Sequence, residues 1–192
     1  MIQAIANNIA KYIVDNDDTN TADYEILAYG YGLIVNGIFT YAAIITSALI
    51  LGLIVEMFVA LGAFIALRLL VGGVHANSRV LCFATNAGVM YFSIALSFFL
   101  NLSEIVITVL YIANLLLLIL YAPSDTTDQP IVKRRMLRKI LGIACLSLFF
   151  ALPMFLNNFQ VKINILILIS TITCVMLHPL IYKIYGCKKS IY

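Results

Sequence analysis

The stretch 33–67, LIVNGIFTYAAIITSALILGLIVEMFVALGAFIAL, carries one charge, Glu56, and neither Lys nor Arg. A helix that crosses a bilayer takes about 20 mostly apolar residues. A charge inside hydrocarbon is costly. Two tight spans, 33–55 and 57–71, with a turn at Glu56, satisfy both conditions. One span followed by a re-entrant piece is the alternative. Similar runs follow at 80–100, 105–121, 140–156 and 163–182.

The whole composition agrees with this reading. Of the 192 residues, 63% are apolar and only 11% are charged, against about a quarter in ordinary soluble domains. The mean hydropathy is +1.03. Surface-to-volume scaling leaves a chain of this size too much surface to hide so many apolar side chains from water. The expected fold is therefore an all-α, polytopic transmembrane helical bundle of about six membrane segments. It forms a single integral membrane domain over 1–192, with an N-terminal segment 1–32, a membrane region 33–182 and a tail 183–192.

The cations set an orientation. Arg68 and Arg79 flank the second connection, Lys133 to Lys139 fill the fourth, Lys183, Lys188 and Lys189 end the chain, and Lys11 lies near its start. Lys and Arg concentrate in cytoplasmic loops. Six spans with both termini in the cytoplasm place every one of them on that side except Lys162. The first thirty residues do not read as a signal peptide. Lys11 stands alone, and Asp15, Asp17, Asp18, Asp23 and Glu25 occupy the place of an apolar core. Ile2, Ile5, Ile9, Tyr12 and Ile13 instead recur at helical spacing, as in an amphipathic helix lying on the membrane surface.

One polar segment stands out, RLLVGGVHANSRVLC at 68–82. On a continuous helix, His75 and Cys82 would be roughly 10.5 Å apart along the axis, too far to share a proton. Gly72 and Gly73 permit a sharp break, and Asn77 or Ser78 would cap a new helix. Cys82 would then lie near the first turn of the next span. A helix start, with Arg79, His75 and Arg68 nearby, favours a thiolate. Such a pair has the form of a cysteine-protease dyad, with Cys82 attacking and His75 moving the proton. Backbone N–H groups at the same helix start would form an oxyanion hole. The competing reading is interfacial packing of a lone His and a lone Cys.

The pattern Arg68-x4-Gly73-x-His75-Ala76-x-Ser78-x3-Cys82 resembles the accessory gene regulator B (AgrB) family of bacterial membrane endopeptidases, which process quorum-sensing precursors. YAPSDT at 121–126, followed by Pro130 and the basic run, is similar to the family's loop after its fourth span. EILAYGYGL at 25–33 is a third, weaker likeness. Residues 29–37 depart from the pattern in having no basic residue. The resemblance implies catalytic roles for His75 and Cys82, with Arg68, Gly73, Ser78 and Arg79 in support. It implies cleavage near the C-terminal end of an AgrD-like precursor peptide. The thioester acyl-enzyme would then yield a cyclic thiolactone or lactone. No metal, organic cofactor or nucleic acid is implied. A homodimer in the bacterial cell membrane is, with the active site on the cytoplasmic side.

Two rivals remain. A small transporter or peptide exporter would use Asn36, Glu56, Asn86, Glu104 and Asn114 as a polar path, and a membrane scaffold would have no chemistry. The other polar features read as structural. Asp125 and Asp128 are too few for a metal site and balance the basic run, which faces anionic headgroups. His178, before Pro179, is expected to bond a freed helix-end carbonyl. Cys145 and Cys174 are small apolar packing residues, and Cys187 is a thiol without a role. The absence of any close cysteine pair argues against a disulfide framework.

Overall fold

A computed structural model of the chain describes residues 2–16, 23–74, 78–124, 134–154 and 160–186. These residues are helical, without strands, and they divide into two compact units, Met1–Gly52 and Leu53–Tyr192. The protein is an all-α membrane helical bundle, as the composition requires. In lipid, a helix satisfies its backbone hydrogen bonds within the segment, so apolar runs in the sequence map directly onto helices.

The first unit holds α1 (Ile2–Asp15) and α2 (Tyr24–Ile50). The helix expected at the N-terminus is present, and it lies against α2. Its inward face is Ala6 and Ala10, both fully buried, with Gln3 and Ala6 beside Gly32 of α2. Ile5 and Tyr12 are exposed. Helix α2 begins at Tyr24, well before Leu33. The Asp23 carboxylate accepts hydrogen bonds from the N–H groups of Glu25 (2.9 Å) and Ile26 (3.5 Å). This N-cap satisfies donors that the helix itself cannot. With 27 residues, α2 is about 40 Å long, longer than the hydrocarbon core.

The turn between α2 and α3 (Ile54–Val71) is at Leu51–Leu53, earlier than the expected position at Glu56. Gly52 takes φ +70° there, a left-handed turn conformation that glycine adopts without steric cost. Glu56 falls in the first turn of α3, where the helix dipole favours a negative charge.

The second unit continues with α4 (Arg79–Phe99), α5 (Glu104–Tyr121), α6 (Arg135–Ala151), a single 3-10 turn at Leu152–Met154, α7 (Gln160–Val175) and α8 (Pro179–Ile184). Four of the helices in the two units, α2 to α5, are long and apolar enough to cross a membrane. The last span, expected over 163–182, is broken. Pro179 has no N–H and clashes with the preceding turn of a continuing helix; α7 ends at Val175 and Pro179 opens α8.

Helix α7 is the hub, touching α3, α4, α5 and α6. Leu67, Val71, Leu118, Leu146, Ile167 and Cys174 meet in one core. At the α3–α6 crossing, a β-carbon on Gly142 would sit 2.6 Å from Val71 Cγ1. The missing side chain lets the helices approach, as small residues do between membrane helices. Several polar groups inside the bundle are paired. Asn114 Nδ2 donates to Thr171 Oγ1 (2.9 Å), Asn164 Nδ2 to the Leu100 carbonyl (2.8 Å), and Tyr111 and Ser147 share a hydrogen bond (2.9 Å).

Candidate functional site at the α3–α4 break

Helix α3 stops where the paired glycines begin. Gly72 takes φ +75° and ψ −141°, and Gly73 takes φ +131°. Both lie in the region of φ that favours glycine. The break that the sequence requires is therefore present at the expected place.

The loop is held from two sides. Arg68, one turn back on α3, places its guanidinium 5.5 Å from the centroid of the Phe64 ring, a cation–π distance. Its Nη2 donates to the carbonyl of Val74, the residue before His75. Any β-carbon at Gly73 would collide with Arg68 Nη1. Gly73 is thus favoured for its φ, and a side chain there would displace the Arg68 guanidinium.

The second support comes from α5. The Gly73 N–H donates to the Ser124 carbonyl (2.7 Å), and the Ser124 N–H donates to the Val71 carbonyl (2.9 Å). The pair forms a parallel bridge between Gly72 and Ser124. The segments 68–82 and 121–124, separate in sequence, are strapped together by main-chain bonds. Ser124 is fully buried, and its Oγ has no hydrogen-bond partner among the described residues.

Beyond Val74, the residues 75–77 are outside the described part of the chain, so His75 and Asn77 have no position here, nor has the side chain of Arg79. Asp125, Asp128, Lys133 and Cys187 are outside it as well. Ser78 occupies the N-cap of α4 in extended conformation, but its side chain makes no capping bond. The first helical bond runs from the Cys82 N–H to the Ser78 carbonyl (2.9 Å). The N–H groups of Arg79, Val80 and Leu81 precede it and have no partner within the helix. Cys82, the fourth residue of α4, is a half-buried free thiol. Its Sγ accepts a hydrogen bond from Asn86 Nδ2 at 3.8 Å. The i, i+4 spacing of Cys82 and Asn86 made that contact readable from the sequence.

His178 bonds a helix-end carbonyl through its main chain, its N–H donating to the Val175 carbonyl at the end of α7 (3.0 Å). It is the N-cap of α8, and its Nδ1 accepts from the Leu180 N–H (3.3 Å). The break before Pro179 creates free N–H groups at that point. Cys174 is buried in the core and Cys145 is half-buried, both as packing residues. Among the described residues, no three His, Cys, Asp or Glu side chains gather as metal ligands would. Of the residues named for the transporter reading, Asn114 is bonded to Thr171, Asn86 to Cys82, and Glu56 and Glu104 sit in the first turns of their helices.

The family model described as accessory gene regulator B matches residues 6–178. The accessory gene regulator protein B of Staphylococcus saprophyticus is 27% identical over 160 residues, covering 82% of this chain and 84% of its own length. An AgrB-like protein of Clostridium acetobutylicum is 28% identical over 143 residues, or 73% of this chain and 68% of its own. No solved structure matches the chain.

Proposed function

The chain belongs to the accessory gene regulator B family, and from that premise we propose that it is a membrane-embedded cysteine endopeptidase acting on a quorum-sensing propeptide. Membership carries the coarser role, membrane-associated processing in the accessory gene regulator system. The chemistry is our reading. The observation that carries it is the placement of Cys82 in the first turns of α4, just beyond a glycine break whose far side leads into His75.

His75 takes the proton of the Cys82 thiol, and the sulfur attacks the scissile carbonyl of the precursor. The N–H groups that open α4 are the available donors for the oxyanion. Collapse of the tetrahedral intermediate breaks the C–N bond. His75 returns the proton to the departing amine, and the C-terminal part of the precursor leaves. The remaining peptide is a thioester on Cys82. An internal Cys or Ser of that peptide attacks the thioester, closes a thiolactone or lactone, and frees the Cys82 sulfur. Arg68 and Gly73 support the catalytic loop, Ser78 starts the helix, and Arg79 contributes a positive charge to the segment 68–82. The working form is a homodimer in the bacterial cell membrane, with both termini and the site on the cytoplasmic side, where the cations cluster.

The test uses purified full-length protein in lipid with a cognate precursor. Cys82→Ala, Cys82→Ser and His75→Ala are compared with the parent chain for cleavage and for the covalent thioester. All three should lose cleavage. Continued cleavage by Cys82→Ala ends the proposal.

A further inference from the structure

We infer that the C-terminal helix α8 is a positioning element of this site, and that the Tyr185 hydroxyl sets the rotation of the helical turn carrying Cys82. This rests on the reading of Cys82 as the nucleophile.

Helix α8 is a short element. It has six residues, too few to be stable alone, yet the segment 178–185 touches three separate parts of the site. The His178 ring lies edge-on to Tyr121, with centroids 5.1 Å apart and planes at 75°. Tyr121 directly precedes the strap 122–124. Tyr182 is buried in a cluster with Val74, the residue before His75. Tyr185 shares a 2.9 Å hydrogen bond with Thr85 Oγ1. His178, Tyr182 and Tyr185 follow i, i+4, i+7 spacing, so one side of the segment faces all three.

The Tyr185 bond matters most because of where α4 starts. Ser78 leaves the helix without a side-chain cap, and uncapped helix ends fray. Thr85 is on the turn that follows Cys82, and its hydroxyl also bonds the Leu81 carbonyl (2.8 Å). Tyr185 thus ties the beginning of α4 to a fixed point a hundred residues away. The strap and the Arg68 contact hold the His75 side of the break, while Tyr185 holds the Cys82 side. One short segment, 178–185, reaches both.

A plain structural anchor would predict a loss of stability and nothing else. A positioning role predicts a loss of rate in protein that is still folded. Tyr185→Phe, Thr85→Val and the double variant are made in the full chain in lipid. Precursor cleavage is resolved into kcat and KM. Cys82 alkylation by iodoacetamide, without precursor, is followed by mass spectrometry, and melting is measured in detergent.

Each single variant should lower kcat roughly three- to tenfold with KM unchanged, the size expected of one hydrogen bond. The double variant should be no worse than either single one, and the Cys82 alkylation rate should change in parallel. Unchanged kcat in either single variant, or losses that add, overturns the proposal. If Cys82→Ala still cleaves, the nucleophile reading has failed instead. In that case the alkylation rate alone decides whether Tyr185 controls the turn, and an unchanged rate rejects it.

Discussion

The interior around α7 and the break between α3 and α4 are held by different kinds of contact. Helices α3, α5 and α6 share one apolar core with α7, in which side chains such as Leu67, Leu118, Leu146 and Ile167 meet. Each contributes many weak contacts, so no single one decides the outcome. At the break, the chain is held by a few directional contacts: Arg68 to Val74, Gly73 to Ser124, Ser124 to Val71, and Tyr185 to Thr85. Each of these has one geometry. The interior should therefore absorb conservative changes as lost stability, while the break should convert equally small changes into lost activity.

Gly73→Ala is the sharpest test of that contrast. The new methyl meets the Arg68 guanidinium, and the backbone stays at a φ that alanine disfavours. Precursor cleavage should fall by roughly a hundredfold, about 3 kcal/mol in barrier, as strain and a displaced Arg68 combine. Melting in detergent should change far less. A variant that cleaves normally would show that the loop geometry is not limiting.

Gly142→Ala probes the interior next to the same loop. Its β-carbon would overlap Val71, the last residue of α3, at a cost of about 1–3 kcal/mol of stability. Adding Val71→Ala should recover part of the melting temperature. No recovery would mean that the α3–α6 crossing is not the source of the cost. Asp23→Ala removes the α2 cap and should cost about 1 kcal/mol, read as faster amide exchange over 24–28. Exchange equal to that of the parent would exclude the capping role. Asn114→Leu deletes the bond to Thr171 and should cost only about 0.6 kcal/mol, with cleavage intact. A collapse of activity there would erase the distinction between interior and break.

Much of the fold is written locally. The apolar runs mark the helices, and Gly72 with Gly73 marks the break. The misplacements have local causes too. The first span is expected from Leu33, where the apolar run becomes uninterrupted, whereas α2 starts at Tyr24 behind the Asp23 cap. Placing the turn at Glu56 followed charge, whereas the chain turns where Gly52 permits a positive φ. The final span is expected over 163–182 with Pro179 near its end, whereas Pro179, lacking an N–H, opens a separate helix and α7 stops at Val175. At the candidate site, Arg68, Gly73 and Cys82 stood out by type and spacing. Ser124, Thr85 and Tyr185 did not, since each acts through a neighbour distant in the chain.

The amino-acid order alone determined the class of the protein, the helices and the glycine break, because hydrophobicity and backbone sterics act over a few residues. Tertiary packing decided that 122–124 would strap 71–74, that Arg68 would reach the Val74 carbonyl, and that α8 would meet the start of α4. Those contacts depend on directional bonds formed only after the helices assemble, and composition carries no record of which donor will meet which acceptor.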